Sequence, residues 1–452
     1  MSERLLIIQL AKLGDFIQST PLLANLRRAN PGAEIIVAAE QPAALAAARL
    51  SPLVDTAVPI AGDEESLAHL GKVRDVFVLN THRRAAALAA TVPAENQYGP
   101  RLGKEGLKFT GAQNFILALM RQRRDFGRFN LVDLWTSLAP GAKPHPLIWP
   151  ETQPSELLPQ DGSLKVGLQM GSRNHLRRWP VEHFVGLTAA LNELLPGRAI
   201  TPVLLGSPGE RALGAKFEKM SRDLNAPAPC NLMGRTDLAE LGQVVAGLDL
   251  LITADTGVMH LAAAVNTPVL ALFFGPAYGP ETGPYGAGHL IYQAAAPCAP
   301  CREGGDCRRR ECLEMPQPNL AARLAAGLLT QNAPRLDTSI VWPAGHRVWR
   351  TAIDGFGQAL RPWGSPPLTA DEALIHIITH AGRGLIRPGY ATAVPDIQAA
   401  ISAYQPPASP LAVDGSFLTA LAGQAFPASA PDKKKFLESA GILAAAVGLK
   451  IA

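Results

Sequence analysis

Three observations predict two α/β domains, each a parallel sheet wound with helices on both faces. Aliphatic runs of strand length alternate with stretches of helical spacing. The alternation halts at a proline-rich stretch and then restarts. Polar, glycine-containing turns follow the strand ends, where open α/β sheets bind ligands.

Leu5–Leu10 reads as a buried strand, and Lys12-Leu13-Gly14-Asp15 as the turn after it. Phe16–Ala29 has helical spacing, with Pro21 near its first turn and Asn30-Pro31-Gly32 as its stop. Glu34–Ala39 is a strand, Ala43–Leu50 a helix, Asp75–Asn80 a strand, and an alanine-rich helix starts at Arg83. Pro140–Pro159 is the candidate linker. Beyond it Lys165–Met170, Thr201–Leu205, Leu250–Ala254 and Val269–Phe274 read as strands. Val181–Leu195, Glu210–Leu224, Leu238–Ala246 and Val258–Val265 read as helices. From about Leu336 the pattern loosens, with helices expected at Ala370–His380 and near Lys433–Val447. The expected divisions are therefore 1–150, 151–335 and a C-terminal extension, 336–452, with no chemistry of its own to read.

The composition narrows the function. The 452 residues are 47% hydrophobic and 18% charged, which suits packed cores rather than long disorder. A net charge of +4 is compatible with an anionic ligand or a membrane surface and is far from the basic excess of a nucleic-acid binder. No run reaches the roughly 18 apolar residues of a spanning helix, and the short run Leu5–Leu10 lacks the flanks of a secretory signal. A cytoplasmic protein, with peripheral membrane contact at most, is expected.

Four turns carry candidate chemistry. In the first, Gly14 permits close backbone approach, and Asp15 is either a helix cap or a general base facing an interdomain cleft. The absence of GxGxxG there argues against dinucleotide binding. The second, Gly171 to Pro180, holds Ser172, Arg173, Arg177 and Arg178 in a strand-end loop, either a solvated basic loop or a phosphate site. The third, Thr253 to His260, runs from a strand through Asp255-Thr256-Gly257 into a helix, whose N-terminus is an anion site unless Asp255 or Thr256 caps it. His260 near the first turn fits a core contact as well as a ligand contact. The fourth is the glycine- and proline-rich loop opened by Gly275. Glu210, at another strand end, suits ribose hydroxyls or the first turn of a helix.

Taken together, Leu13-Gly14-Asp15 with Pro21 and Leu22, Arg177-Arg178-Trp179-Pro180 with Phe184, Ala254-Asp255-Thr256-Gly257 followed by His260-Leu261-Ala262-Ala263, and Phe274-Gly275-Pro276 resemble glycosyltransferase family 9, the heptosyltransferases of lipopolysaccharide core synthesis. The resemblance covers about residues 4–320. It implies a GT-B fold: two facing Rossmann-like domains with a cleft between them. It implies transfer of heptose from ADP-heptose to a lipopolysaccharide core or other glycan acceptor, with Asp15 as general base and no cofactor required for catalysis. Ser172, Arg177, Arg178, Glu210, Asp255, Thr256, Gly257, His260 and Gly275 are then the expected donor contacts, and Lys12 and Gly14 the acceptor contacts. Many members have lysine where Arg177 stands, so the charge is kept and the geometry changes. Rival readings are another nucleotide sugar, a non-catalytic nucleotide-binding protein, and a nucleotide-sugar epimerase.

Cys298, Cys301, Cys307 and Cys312 lie within fifteen residues. A reducing compartment disfavours disulfides, so a structural zinc or an iron–sulfur cluster is one expectation and unliganded thiols are the other.

Overall fold

The computed structural model describes residues 3–62, 66–104, 106–108, 116–117, 120, 128–296, 298–299, 301, 307–330, 346–363, 379, 383, 412–413 and 450–451. The first unit runs β1 (Arg4–Ile8), α1 (Leu13–Ala29), β2 (Glu34–Ala39), α2 (Pro42–Leu50), β3 (Thr56–Pro59), β4 (Val73–Val78), α3 (Arg83–Ala90) and β5 (Ala94–Tyr98). Its five strands are all parallel, in the order β3-β2-β1-β4-β5. A small hairpin, β6 (Arg101–Gly103) and β7 (Gly106–Lys108), and the short helix α4 (Leu131–Thr136) follow.

The second unit runs β8 (Leu164–Gln169), α5 (Val181–Leu194), β9 (Ile200–Leu205), α6 (Arg211–Asp223), β10 (Cys230–Asn231), α7 (Leu238–Ala246), β11 (Leu250–Ala254), α8 (Gly257–Ala264), β12 (Val269–Phe273), α9 (Gly279–Thr282), β13 (Leu290–Ala294), α10 (Pro318–Leu329), β14 (His346–Asp354) and β15 (Gly357–Pro362). Its sheet has the order β10-β9-β8-β11-β12-β13-β14-β15. The pairs are parallel up to β13 and antiparallel across β13-β14-β15.

The strand orders decide where ligands bind. Order reverses between β1 and β4 in the first sheet and between β8 and β11 in the second. Crevices open at the carboxyl ends of strands at such reversals. The chain leaves β1, β8 and β11 through the three turns singled out around Asp15, Gly171 and Asp255.

Burial on both faces explains the unbroken aliphatic run of β1. Leu5 and Ile7 pack with Phe16 and Ile17 of α1, while Leu6 and Ile8 pack with Leu88 and Ala89 of α3. The cluster on the α1 side continues without a break into Met259, Leu261 and Ala262 of α8, so one core joins the two units. Asp133 of α4 adds a polar tie between them. It accepts bonds from Tyr285 Oη at 2.8 Å and the Gln358 N–H at 2.9 Å. Gly357 has φ of +124°, and a Cβ there would stand 2.0 Å from Asp133 Oδ1; only glycine suits both demands.

Four differences from the sequence reading have physical causes. Residues 346–362, expected in a separate extension, are the antiparallel edge of the second sheet. Arg383, further along, pairs with Asp354 on β14 through two contacts of 3.0 and 2.9 Å. The strands β3, β5 and β13 went unread, two of them on sheet edges and too mixed in polarity to stand out. Lastly, α1 begins at Leu13, so Pro21 lies inside the helix rather than in its first turn. Proline supplies no N–H for the carbonyl of Ile17. Thr20 Oγ1 does so instead, at 2.7 Å, and it also accepts from the Ile148 N–H at 2.9 Å. The expected helices at Ala370–His380, apart from Thr379, and Lys433–Val447 lie outside the described residues. Among the described residues no helix is long and apolar enough to cross a membrane.

Thr20→Val removes both bonds of a buried hydroxyl and keeps the shape. Two backbone groups lose a partner, at about 1–3 kcal/mol for a buried group left unpaired. A urea midpoint lowered accordingly is the expected result, and an unchanged midpoint would refute this account of how α1 accommodates Pro21.

Candidate active site

Both crevices open into one cleft of about 820 Å³ between the two sheets. Its first wall carries Lys12, Gly14 and Asp15, and its second carries Ser172, Arg177, Glu210, Asp255, Thr256, Gly257 and His260. The walls meet where the N-terminal ends of α1 and α8 abut. Glycine makes that approach fit. A Cβ on Gly14 would lie 2.6 Å from His260 Cδ2 and 3.3 Å from the Gly257 Cα, and a Cβ on Gly257 would lie 3.2 Å from Leu13.

Asp15 both bonds its own helix start and lines the cleft. Its Oδ2 accepts the Lys12 N–H at 3.1 Å, as a first-turn carboxylate does at a helix start. It also faces the cleft, where the walls strip it of water. That desolvation, reinforced by the negative charge of Asp255 across the gap, lifts its pKa from 3.8 to about 6. The Lys12 N–H and the Lys12 ammonium pull the other way. A carboxylate titrating near 6 is ionised at neutral pH and is a stronger base than an ordinary aspartate.

At α8 the capping alternative fails. Thr256 holds the N-cap position with extended backbone, but its hydroxyl makes no cap bond to the helix. It turns instead to Thr253 Oγ1 at 3.0 Å. Asp255 is also engaged elsewhere, accepting Arg177 Nη1 at 2.7 Å in a pair that is 14% and 10% exposed. The N–H groups of the first turn of α8 thus receive no side-chain cap, which suits an incoming anion.

The remaining predicted residues divide. Ser172 lines the cleft, and its carbonyl accepts Arg178 Nε at 2.6 Å. Arg178 is exposed and braces the loop from outside rather than lining the cleft. Glu210 lines the cleft, with Oε2 accepting the Ser207 N–H at 2.7 Å and Ser207 Oγ at 2.9 Å. It occupies space that Gly171 leaves open, for a Cβ on Gly171 would sit 1.8 Å from Glu210 Oε1. His260 is buried, and burial pushes its pKa down to about 3. It is therefore neutral, and brings no positive charge to an anion. Gly275 lies behind the wall. Its φ is +54°, a Cβ would meet the Leu176 carbonyl at 3.0 Å, and its N–H bonds the Cys312 thiol.

Sequence reasoning missed Gln18, Gln169 and Asp237, all of which line the cleft. Gln18 stands three residues after Asp15 on α1, a spacing that puts both on one helix face and was readable. Gln169 ends β8, directly before a turn already singled out. Asp237, by contrast, is engaged as the N-cap of α7, accepting the Glu240 N–H at 2.8 Å.

The four thiols of the cysteine cluster lie near enough to act on one another electrostatically. Cys298 and Cys301 share a hydrogen bond, and burial raises the thiols of Cys301 and Cys312. Yet among the described residues no three His, Cys, Asp or Glu side chains converge in an arrangement able to hold a metal ion.

Comparisons with known proteins agree with this geometry. The model of the family described as "Glycosyltransferase family 9 (heptosyltransferase)" matches residues 145–310. Over that stretch the chain is similar to glycosyltransferase family 9. Lipopolysaccharide heptosyltransferase 2 of Salmonella typhimurium is 31% identical over 149 residues, which are 31% of this chain and 40% of that one. Lipooligosaccharide heptosyltransferase 2 of Haemophilus influenzae is 33% identical over 109 residues, 24% of this chain and 29% of that one. The matched stretches thus span well under two thirds of these relatives. A solved family 9 glycosyltransferase from Veillonella parvula superimposes over 74% of this chain and 99% of its own, with a TM-score of 0.56 at 19% identity. The chain thus has the GT-B fold.

Carbon-detected NMR titration of the carboxyls is expected to place Asp15 near pH 6. In Asp255→Asn the repulsion across the gap is gone, so the Asp15 midpoint should move to lower pH. A midpoint near 4 in the native protein, or an upward shift in the variant, would contradict the electrostatics described.

Proposed function

We propose that this protein is an inverting family 9 glycosyltransferase that moves heptose from ADP-heptose to a lipopolysaccharide inner-core acceptor. The observation that carries the reading is Asp15, a desolvated carboxylate facing the uncapped N-terminus of α8 across one cleft.

The donor diphosphate lies against the Thr256–Gly257 end of α8, where helix N–H groups and the helix dipole favour negative charge. Arg177 adds a cation beside it, and Asp255 meets sugar hydroxyls. Glu210 receives ribose hydroxyls. As the anomeric carbon takes on oxocarbenium character, its bond to the diphosphate oxygen breaks and the charge left on ADP is met by those groups. The acceptor hydroxyl attacks from the opposite side. Its oxygen bonds to the anomeric carbon, its proton passes to Asp15, and the anomeric centre inverts. Such a donor and acceptor place the work at the cytoplasmic face of the inner membrane.

The relatives named as heptosyltransferases support the sugar, although the match covers only part of their length. The cleft chemistry supports a nucleotide diphosphate donor in general. Turnover of ADP-heptose but not of UDP- or GDP-sugars tests the narrower claim. Bound ADP without any transfer would favour a non-catalytic nucleotide-binding protein instead.

Asp15→Asn should lower turnover by about 10²–10⁴-fold, the usual scale for a lost general base, while calorimetric ADP affinity stays within about threefold. In the native enzyme the base is protonated and idle below its pKa, so kcat/KM should rise with pH through about 6 and then level off. That limb should vanish in Asp15→Asn. Near-native turnover in the variant would remove Asp15 from the mechanism.

A further inference from the structure

Gln18 is a polar side chain in a place that the protein alone does not explain. It lies on α1 three residues beyond Asp15, and residues at that spacing share a helix face. It lines the same cleft as Asp15. It is only 1% exposed, and its Nε2 has no hydrogen-bond partner among the described residues. Buried amides are nearly always paired, and one left unpaired beside a cavity points to a group supplied from outside. Gln169 Oε1 and His260 Nδ1, also in the cleft, share this condition, but both stand on the second wall, with the donor groups. Of these three, Gln18 alone belongs to the wall that carries the base.

We propose that Gln18 is an acceptor-binding residue, its amide N–H donating to a hydroxyl oxygen of the acceptor sugar next to the one that attacks. An amide donor suits a neutral, hydroxyl-rich ligand. It leaves the Asp15 carboxylate to the attacking hydroxyl itself. The bond would fix which hydroxyl faces Asp15, so Gln18 contributes to the choice of linkage as well as to affinity. This inference rests on the transferase reading given above.

The test uses the full-length chain, ADP-heptose, and de-O-acylated lipopolysaccharide core lacking heptose as acceptor. Gln18→Leu keeps approximate size and removes the donor group. Loss of one hydrogen bond to the substrate should raise the acceptor KM about 10–100-fold. ADP affinity by calorimetry should stay within about twofold, and Tm should not fall, because an unpaired buried amide gives way to hydrocarbon. Gln18→Met, unbranched and adaptable, covers the case in which the leucine variant folds poorly, and should show the same pattern. An unchanged acceptor KM in both variants, or a parallel loss of ADP affinity, would overturn the assignment. A lowered Tm in both, with no selective change in acceptor KM, would make Gln18 structural. Native protein that transfers nothing sinks the transferase reading and this inference with it. Active native protein with indifferent variants sinks this inference alone.

Discussion

Close contact between two helix ends is the constraint on which the site depends. α1 follows the first strand of one sheet and α8 follows the switch-point strand of the other, and their N-termini touch in the cleft. A Cβ on Gly14 would collide with His260, and one on Gly257 would press on the Leu13 side chain. The contact places Asp15 and Asp255, one from each sheet, close enough to feel one another. It also directs two positive helix ends toward a single volume. A core that runs unbroken from α1 into α8 and the tie from Asp133 to Tyr285 and Gln358 hold the two units in that relation.

The two aspartates that face each other across the cleft meet the cost of burial differently. Asp255 is neutralised by Arg177 at 2.7 Å. Among the described residues Asp15 forms no ion pair, and the Lys12 N–H and the charge of Lys12 offset its desolvation only in part. Two acids of the same type therefore acquire different characters from their surroundings, one an ion-pair partner and the other a desolvated carboxylate of raised pKa. Thr256 completes the division by turning its hydroxyl toward Thr253, so that α8 keeps its N–H groups available.

Much of this was legible before any coordinates. Alternation of aliphatic and helical segments marked β1, β2, β8, β9, β11 and β12, because strands buried on both faces are predominantly aliphatic. The turns around Asp15, Gly171 and Asp255 stood out because they follow such strands. Other features were hidden for physical reasons. β14 and β15 pair antiparallel at a sheet edge, and the mixed polarity of segments such as His346–Asp354 carries no strong period. Pro21 suggested a helix start because the side chain that rescues it, Thr20, acts only in three dimensions. Arg177 stood out as a loop cation, but its pairing with Asp255, 78 residues away, lies beyond any local pattern. Gly275 followed a strand end like the others, yet its N–H turns to Cys312, away from the cleft.

A crystal structure of the protein with an unreactive fluorinated ADP-heptose analogue addresses the central claim most directly. The diphosphate should rest on the Thr256 and Gly257 N–H groups, with the Asp15 carboxylate on the opposite side of the anomeric carbon from the leaving oxygen. A diphosphate bound away from α8, or Asp15 turned from the sugar, would contradict the account.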